Sequence, residues 1–220
     1  MNYPELSFTA RLLDPMLNQP AVHVLRNSLN QIPGNNTAGL LSLFFGVNDE
    51  RYLSRSEIMA LSRRKNVDLF SLSVLFWGFP TNQHRVCTSA LQNWNTLLGW
   101  ARRVRENRLM TRQRFVEMIP TMHNDLRGLG ISTYSKYLYF SGCSIDGNQC
   151  LILDNLVVKG IHNLTGIEFD ELKDTVQNNR HRYYRNYPLY LEAMQNLSLN
   201  IGVPAHNIEY VLWLAGKRNM

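Results

Sequence analysis

The chain has 220 residues, 45% of them hydrophobic, and its 23 lysines and arginines against 17 aspartates and glutamates give a net charge of +6. This composition excludes a disordered chain, and no apolar run approaches the roughly 18 residues of a membrane span. The positive charge favours a polyanionic partner, either a nucleic acid or an anionic membrane surface.

The N-terminus and the cysteines bear on the compartment in which the protein works. The first residues show no basic start followed by an apolar stretch, so no secretory signal is predicted. Cys87, Cys143 and Cys150 are odd in number and form no close Cys-x-x-Cys pair, which argues against a zinc or iron–sulfur site. We therefore expect a cytoplasmic protein that needs neither a metal nor another cofactor.

The first third of the chain predicts short helices. Prolines break the first 50 residues into short helical pieces, and the apolar run Leu40–Phe45 is expected in the core. Ser54 and Glu57 have the spacing of a capping box, which predicts a helix up to about Arg64. Asp68 is the expected cap of the helix that follows.

An aromatic segment, Phe76-Trp77-Gly78-Phe79-Pro80, ends that second helix. Aromatic side chains around a glycine pack readily into a core. They also suit a pocket for an extruded base, or a wedge between base pairs, as proteins that flip nucleotides require. Both interpretations stay open for Phe76, Trp77 and Phe79.

The sequence pattern of residues 86–108 predicts a longer helix, or a pair of helices, with a basic end. The single acid Glu106 accompanies six arginines within thirteen residues: Arg102, Arg103, Arg105, Arg108, Arg112 and Arg114. Such a charge run is commonly a solvated surface, but the arginine fork also matches phosphate oxygens. Arg102 and Arg103 are therefore candidate contacts with a nucleic-acid backbone. Arg182, in a second basic stretch interleaved with tyrosines, is a third candidate, although those tyrosines equally suit packing inside the protein.

A glycine turn lies between two predicted helices, with Gly128 and Gly130 on either side of Leu129. Glycine accepts positive φ and allows another backbone to approach closely. The start of the second helix leaves amide groups unpaired, and these groups, with the helix dipole, suit a phosphate. Gly128, Gly130 and Ser132 are thus candidate phosphate-binding residues, unless the glycines form only an ordinary turn between helices.

Lys136 and Asp154 are the candidate catalytic residues. Lys136 lies among apolar and aromatic residues, where it either extends its amine to solvent or is buried with a lowered pKa, which frees the amine as a nucleophile. Asp154 follows the apolar residues 150–153 and precedes a predicted helix, which is the position of an N-cap. The same carboxylate can also face a developing cation, so a capping role and a catalytic role are compatible.

The periodicity of the sequence predicts an all-α fold. Almost no stretch alternates between apolar and polar residues with a period of two. Residues 150–153 are the only short extended candidate, and the chain contains no internal repeat, low-complexity tract or flexible linker.

In that order, the glycine turn, the lysine in TYSKYLYF and the aspartate in LILDNLV resemble the helix-hairpin-helix DNA glycosylases, in particular the compact bacterial branch of 8-oxoguanine-glycosylase-like proteins. The resemblance is strong over residues 126–160 and weak elsewhere. It implies that Asp154 is the catalytic aspartate and that Lys136 is the candidate Schiff-base lysine, which attacks the sugar directly or orients a water that does. If the glycines are aligned on the usual hairpin, Ser132 takes the lysine position, and Lys136 lies one turn later on the same helix face.

The resemblance also implies the architecture and the function. Within a single domain of residues 1–220, about residues 54–160 would form one helical lobe and the two chain ends the other, with a DNA-binding cleft between them. The protein would flip a damaged or modified base, such as 8-oxoguanine, out of double-stranded DNA and cleave its N-glycosidic bond, with AP-lyase activity if Lys136 attacks directly. We expect a monomer without membrane contact. Two alternatives stay open: an antiviral glycosylase that removes a bulky modified pyrimidine from phage DNA, and a helix-hairpin-helix protein that binds DNA without catalysis.

Overall fold

The computed structural model describes residues 3–29, 32, 36–79, 84–126, 128–166, 170–177 and 184–217. Helices dominate this part of the chain, which confirms the mostly α fold. They are α1 (Tyr3–Leu12), α2 (Pro15–Asn18), α3 (Arg26–Leu29), α4 (Thr37–Phe45), α5 (Arg55–Ser62), α6 (Val67–Gly78), α7 (His84–Gln92), α8 (Trp94–Glu106), α9 (Arg112–Asp125), α10 (Ile131–Phe140), α11 (Asn155–Thr165), α12 (Asp170–Gln177), α13 (Asn186–Ile201) and α14 (Ala205–Lys217). None of these helices is long and apolar enough to cross a membrane. The division into two lobes stays a prediction.

Short strands form two small sheets within the described residues. The first sheet pairs β1 (Val22–Leu25) with β2 (Glu50–Leu53), and the second contains β3 (Leu109–Met110), β4 (Ser144–Ile145) and β5 (Asn148–Gln149). Residues 150–153, the short extended candidate, form no strand, since β5 ends just before them, although the Cys150 amide still donates to the Cys143 carbonyl at 2.9 Å.

Helix starts follow local side-chain chemistry. Ser54 caps α5, as predicted, because its hydroxyl oxygen accepts from the Glu57 amide at 3.1 Å. The predicted cap at Asp68 is wrong, since the carbonyl oxygen of the Asn66 side chain accepts from the Leu69 amide at 2.9 Å and caps α6 instead. The Asp68 carboxylate, in the first turn, accepts from a tryptophan indole of α8 at 3.0 Å.

Two helices, α6 and α10, run through the core. α6 is buried over residues 70–77, and α10 is buried along its length except at Ser132. The hydroxyl of Tyr137 donates to the Ser71 carbonyl at 2.8 Å and fastens α10 to α6. This packing places Lys136 of α10 against the C-terminal end of α6.

Helices α11 and α14 cross at two glycines. A Cβ atom on Gly160 would lie 1.8 Å from the carbonyl oxygen of Leu212, and one on Gly216 would lie 2.0 Å from that of Leu156. No residue with a side chain fits such an approach. Because α11 starts immediately after Asp154, the crossing fixes the position of that carboxylate.

Residues 150–153 are buried and lie outside the strands, and side chains supply hydrogen-bond partners for three of them, Leu151, Ile152 and Leu153. The hydroxyl of Tyr187 donates to the Leu151 carbonyl at 2.6 Å, and that of Tyr190 donates to the Ile152 carbonyl at 3.1 Å. Both tyrosines are buried. For Tyr187, which follows the second basic stretch, packing inside the protein is therefore the correct interpretation.

Candidate active site

The turn between α9 and α10 is built on its two glycines. Gly128 has a φ of +90°, a backbone conformation that residues with side chains rarely adopt. Gly130 is the N-cap of α10 and leaves the first turn of the helix without a side-chain cap. Leu129, between them, is fully buried and anchors the turn. A partly exposed helix start without a capping side chain is a suitable anion site.

Lys136 is held inside the protein. All five lysines lie in the described residues, and Lys136 alone is buried, with 4% of its surface exposed. Its Nζ donates to the carbonyl oxygen and to Oγ of Ser132, each at 2.9 Å, and lies 3.6 Å from Oδ2 of Asp154. Burial lowers the pKa of the amine from the ordinary 10.5, while Asp154 and Glu209 act in the opposite direction. The lysine is therefore buried and does not extend its amine to solvent, while its role as a nucleophile stays a prediction.

Asp154 caps α11, as predicted, and also faces the lysine. Its Oδ1 accepts from the amides of Leu156 and Val157, both at 3.1 Å, while Oδ2 is the oxygen nearest Lys136. The side chain is 17% exposed. One carboxylate oxygen is thus fixed by the backbone, and the other faces the amine. A carboxylate fixed in this way can stabilise a nearby cation without rearranging.

Ser135 joins the lysine helix to the aspartate segment. Its buried Oγ accepts from the Leu153 amide at 3.1 Å and lies 3.4 Å from the carbonyl oxygen of Leu153. Ser135 directly precedes Lys136, and Leu153 directly precedes Asp154. This contact therefore holds the two candidate residues in register.

A second buried ion pair, between Arg55 and Glu209, affects the pKa of Lys136. The guanidinium of Arg55 donates to both carboxylate oxygens of Glu209, at 3.0 and 3.1 Å, and to the side-chain oxygen of Gln19. The side chains of Arg55 and Glu209 are 1% and 0% exposed. Burial raises the pKa of Glu209 from its ordinary 4.5, and Arg55 opposes that rise. Glu209 raises the pKa of Lys136 and Arg55 lowers it, so two cations and two anions form one interacting group.

The three aromatic candidates differ in their surroundings. Phe76 is fully buried and packs edge-on against Phe44, with ring centroids 4.8 Å apart, so it belongs to the core and not to a base pocket. Trp77 is 6% exposed and packs edge-on against Phe140 at 5.2 Å. Its buried indole N–H has no hydrogen-bond partner within the described part of the chain. Phe79 is half-buried at the end of α6.

Arg102 and Arg103 are exposed near the end of α8. Their neighbour Arg105 is bound to the protein, because its guanidinium donates to the carbonyl oxygens of Ser62 and Arg64 at 2.8 and 2.6 Å. This end of α8 therefore lies at the turn between α5 and α6.

Helix α6 separates that turn from the lysine. Its 12 residues run from the turn to Gly78, beside Lys136, a length of about 18 Å at 1.5 Å per residue. The structure thus brings together Ser132, Lys136 and Asp154 but not Arg102 and Arg103. The remaining candidate, Arg182, lies outside the described residues.

Sequence reasoning missed several residues of the site, including Arg55, Glu209, Ser135 and Gly78. Glu209 carried a usable signal, because a single acid within the apolar segment of the last helix indicates a buried partner. Ser135 carried none, since its partner lies 18 residues away. Gly78 was read only as part of a helix stop, yet a Cβ atom there would lie 3.1 Å from Cδ of Lys136.

The fold and the buried lysine facing a capping aspartate have the features expected of a DNA-glycosylase-like protein. Residues 18–213 match the model of the family described as "Putative 8-oxoguanine DNA glycosylase OGG-like protein", and the chain belongs to this family. Comparisons with curated proteins and with solved structures gave no significant match. The predicted 8-oxoguanine-glycosylase-like relationship is confirmed, while the helix-hairpin-helix superfamily and the bacterial branch stay predictions.

Proposed function

We propose that the protein is a DNA glycosylase that extrudes 8-oxoguanine, or a related modified base, from duplex DNA and cleaves its N-glycosidic bond, with Lys136 as the nucleophile. The observation that carries the proposal is the separation of 3.6 Å between Nζ of Lys136 and Oδ2 of Asp154. A buried lysine and a backbone-fixed carboxylate at this distance suit one extruded nucleoside. The family match supports the same reaction.

The two residues divide the chemistry. As the N-glycosidic bond breaks, its electron pair leaves with the base and positive charge develops on the deoxyribose. Asp154 stabilises that charge, and a well-placed group of this kind contributes about 3 kcal/mol. The neutral amine of Lys136 donates its lone pair to C1′ and loses a proton, and opening of the sugar ring gives a Schiff base. β-Elimination then cleaves the DNA strand, which is AP-lyase activity.

The turn before α10 supplies the DNA anchor in this proposal. The first turn of α10, which has no side-chain cap and follows the positive φ of Gly128, binds a backbone phosphate. Such a contact gives affinity and register but does not identify the base. Ser132 accepts from Lys136, so its own hydroxyl hydrogen is available to a phosphate oxygen.

The remaining candidates have supporting roles. Trp77 and Phe79 contact the extruded base, a role supported by the Trp77 indole N–H, which has no hydrogen-bond partner among the described residues. Arg102, Arg103 and Arg182 contact the DNA backbone away from the lesion. The protein acts on double-stranded DNA in the cytoplasm, as a monomer whose domain of residues 1–220 forms two lobes around the cleft.

The test is incubation with duplexes that each carry one modified base, with abasic sites and nicks as the readout. Asp154→Asn should reduce base release at least about 100-fold. Lys136→Gln should abolish the adduct that borohydride traps, and the exposed Lys65→Gln should behave as wild type. If wild type and both site variants bind DNA equally and none releases any base, the protein binds DNA without catalysis and the proposal is wrong.

A further inference from the structure

Gly78 is the last residue of α6 and lies against the aliphatic stem of Lys136. A Cβ atom at this position would be 3.1 Å from Cδ and 3.4 Å from Cε of the lysine. The first distance is shorter than ordinary van der Waals contact, so the stem would have to move by a few tenths of an ångström.

The usual reasons for a glycine do not apply at position 78. The φ of Gly78 lies outside the left-handed region. The C-cap of α6 is the next residue, Phe79, whose amide donates to the Phe76 carbonyl at 3.3 Å. Alanine suits a helix better than glycine does. Glycine at position 78 therefore makes α6 less stable than alanine would. The contact with Lys136 offers a physical reason for glycine at this position.

The lysine has little room to accommodate a larger neighbour. Its stem is buried against the end of α6, and its Nζ is fixed by two bonds of 2.9 Å to Ser132 and by Asp154 at 3.6 Å. A displaced stem carries Nζ away from these oxygens. Reactivity falls steeply when a nucleophile is misplaced by even a fraction of an ångström.

We propose that Gly78 is a positioning residue for Lys136, because the missing side chain leaves the space in which the lysine stem reaches Ser132 and Asp154. The catalytic consequence rests on the proposed function of Lys136, but the contact itself does not. Gly78 thereby couples the aromatic segment to the reactivity of a residue 58 positions later.

The first test compares Gly78→Ala with Gly99→Ala. Gly99 is also helical and half-buried, but a Cβ atom there meets nothing within 4 Å. On a duplex with a preformed abasic site, Gly78→Ala should lower the rate of borohydride trapping about tenfold. It should also shift the titration midpoint of Lys136, followed by ¹³Cε NMR and assigned with Lys136→Gln. Gly99→Ala should change neither quantity.

The second test is a double-mutant cycle between positions 78 and 136, measured by urea unfolding. Replacing Gly78 by alanine should be more favourable in a Lys136→Ala background than in wild type, because the crowding partner is gone. Equal effects in both backgrounds, with wild-type trapping and titration in Gly78→Ala, would overturn the proposal. If wild type traps no DNA, the lyase mechanism fails, while the cycle and the titration still decide whether Gly78 positions the lysine.

Discussion

A buried amine is unfavourable for folding whenever it is protonated, and the side chain of Lys136 is only 5% exposed. Two oxygens of Ser132 and the carboxylate of Asp154 offset part of that cost. The burial also has a chemical consequence, because an amine with a lowered pKa is unprotonated at a lower pH than an exposed one. This is the property that a lysine nucleophile needs.

The reaction should therefore depend on pH in a defined direction. On a duplex with a preformed abasic site, we predict that the trapping rate rises with pH through a midpoint below 10.5, the ordinary pKa of a lysine. Burial disfavours the ammonium form, so the proton leaves at lower pH and the attacking amine appears earlier. The measurement is the single-turnover trapping rate over a pH series.

The variant Asp154→Asn tests the direction in which the carboxylate shifts the pKa of Lys136. The carboxylate raises the pKa of Lys136, so its removal should move the midpoint to still lower pH. The abasic substrate needs no base release, which keeps the comparison free of the other role of Asp154. A midpoint at or above 10.5 in wild type would show that burial does not control the amine.

Among the helices, the crossing of α11 and α14 holds Asp154 in place. Gly160 and Gly216 lie at the contact, and each faces a backbone carbonyl of the other helix. Neither helix can move aside without shifting the start of α11, which Asp154 caps. The stability of this crossing and the position of the carboxylate are therefore linked.

We predict that Gly160→Ala and Gly216→Ala each lower the free energy of unfolding by about 3 kcal/mol, because the added methyl group would overlap a carbonyl group. Gly39→Ala in α4 is the control, since a Cβ atom there meets nothing within 4 Å, and it should leave stability unchanged or raise it by up to about 1 kcal/mol. Urea unfolding measures all three. Wild-type stability in both crossing variants would contradict the close approach.

The correct predictions of helix starts depend on residues that are close together in the sequence. Ser54 and Asp154 predict helix starts because each side chain can accept from an amide within the next three residues. Both caps are confirmed. The error at Asp68 arose because Asn66, two residues earlier, is an equally good cap. Strands β1 and β2 escaped prediction because their pairing joins residues that are distant in sequence and not strongly alternating.

The unpredicted parts of the site depend on tertiary contacts. Arg55 meets Glu209 across 154 positions, and no local pattern shows such a pairing. The stem of Lys136 meets Gly78 only because α6 and α10 pack together. The identity of the candidate lysine and aspartate could be read from the sequence, but their surroundings could not.

At the scale of the whole molecule, residues from most of the chain meet at one site. Arg55 comes from α5, Lys136 from α10 and Glu209 from α14. The family match over residues 18–213 covers all three positions. The net charge of +6 suits a DNA partner, and binding to its backbone should weaken with added salt.

The whole chain offers five lysines and the N-terminal amine as nucleophiles, and Lys136 is the buried one among the lysines. The most direct measurement is mass-spectrometric mapping of the adduct that borohydride traps between the wild-type protein and an 8-oxoguanine duplex. We predict a single adduct on Lys136 that is lost in Lys136→Gln. An adduct on another lysine or on the N-terminal amine, or base release with no adduct at all, would contradict it.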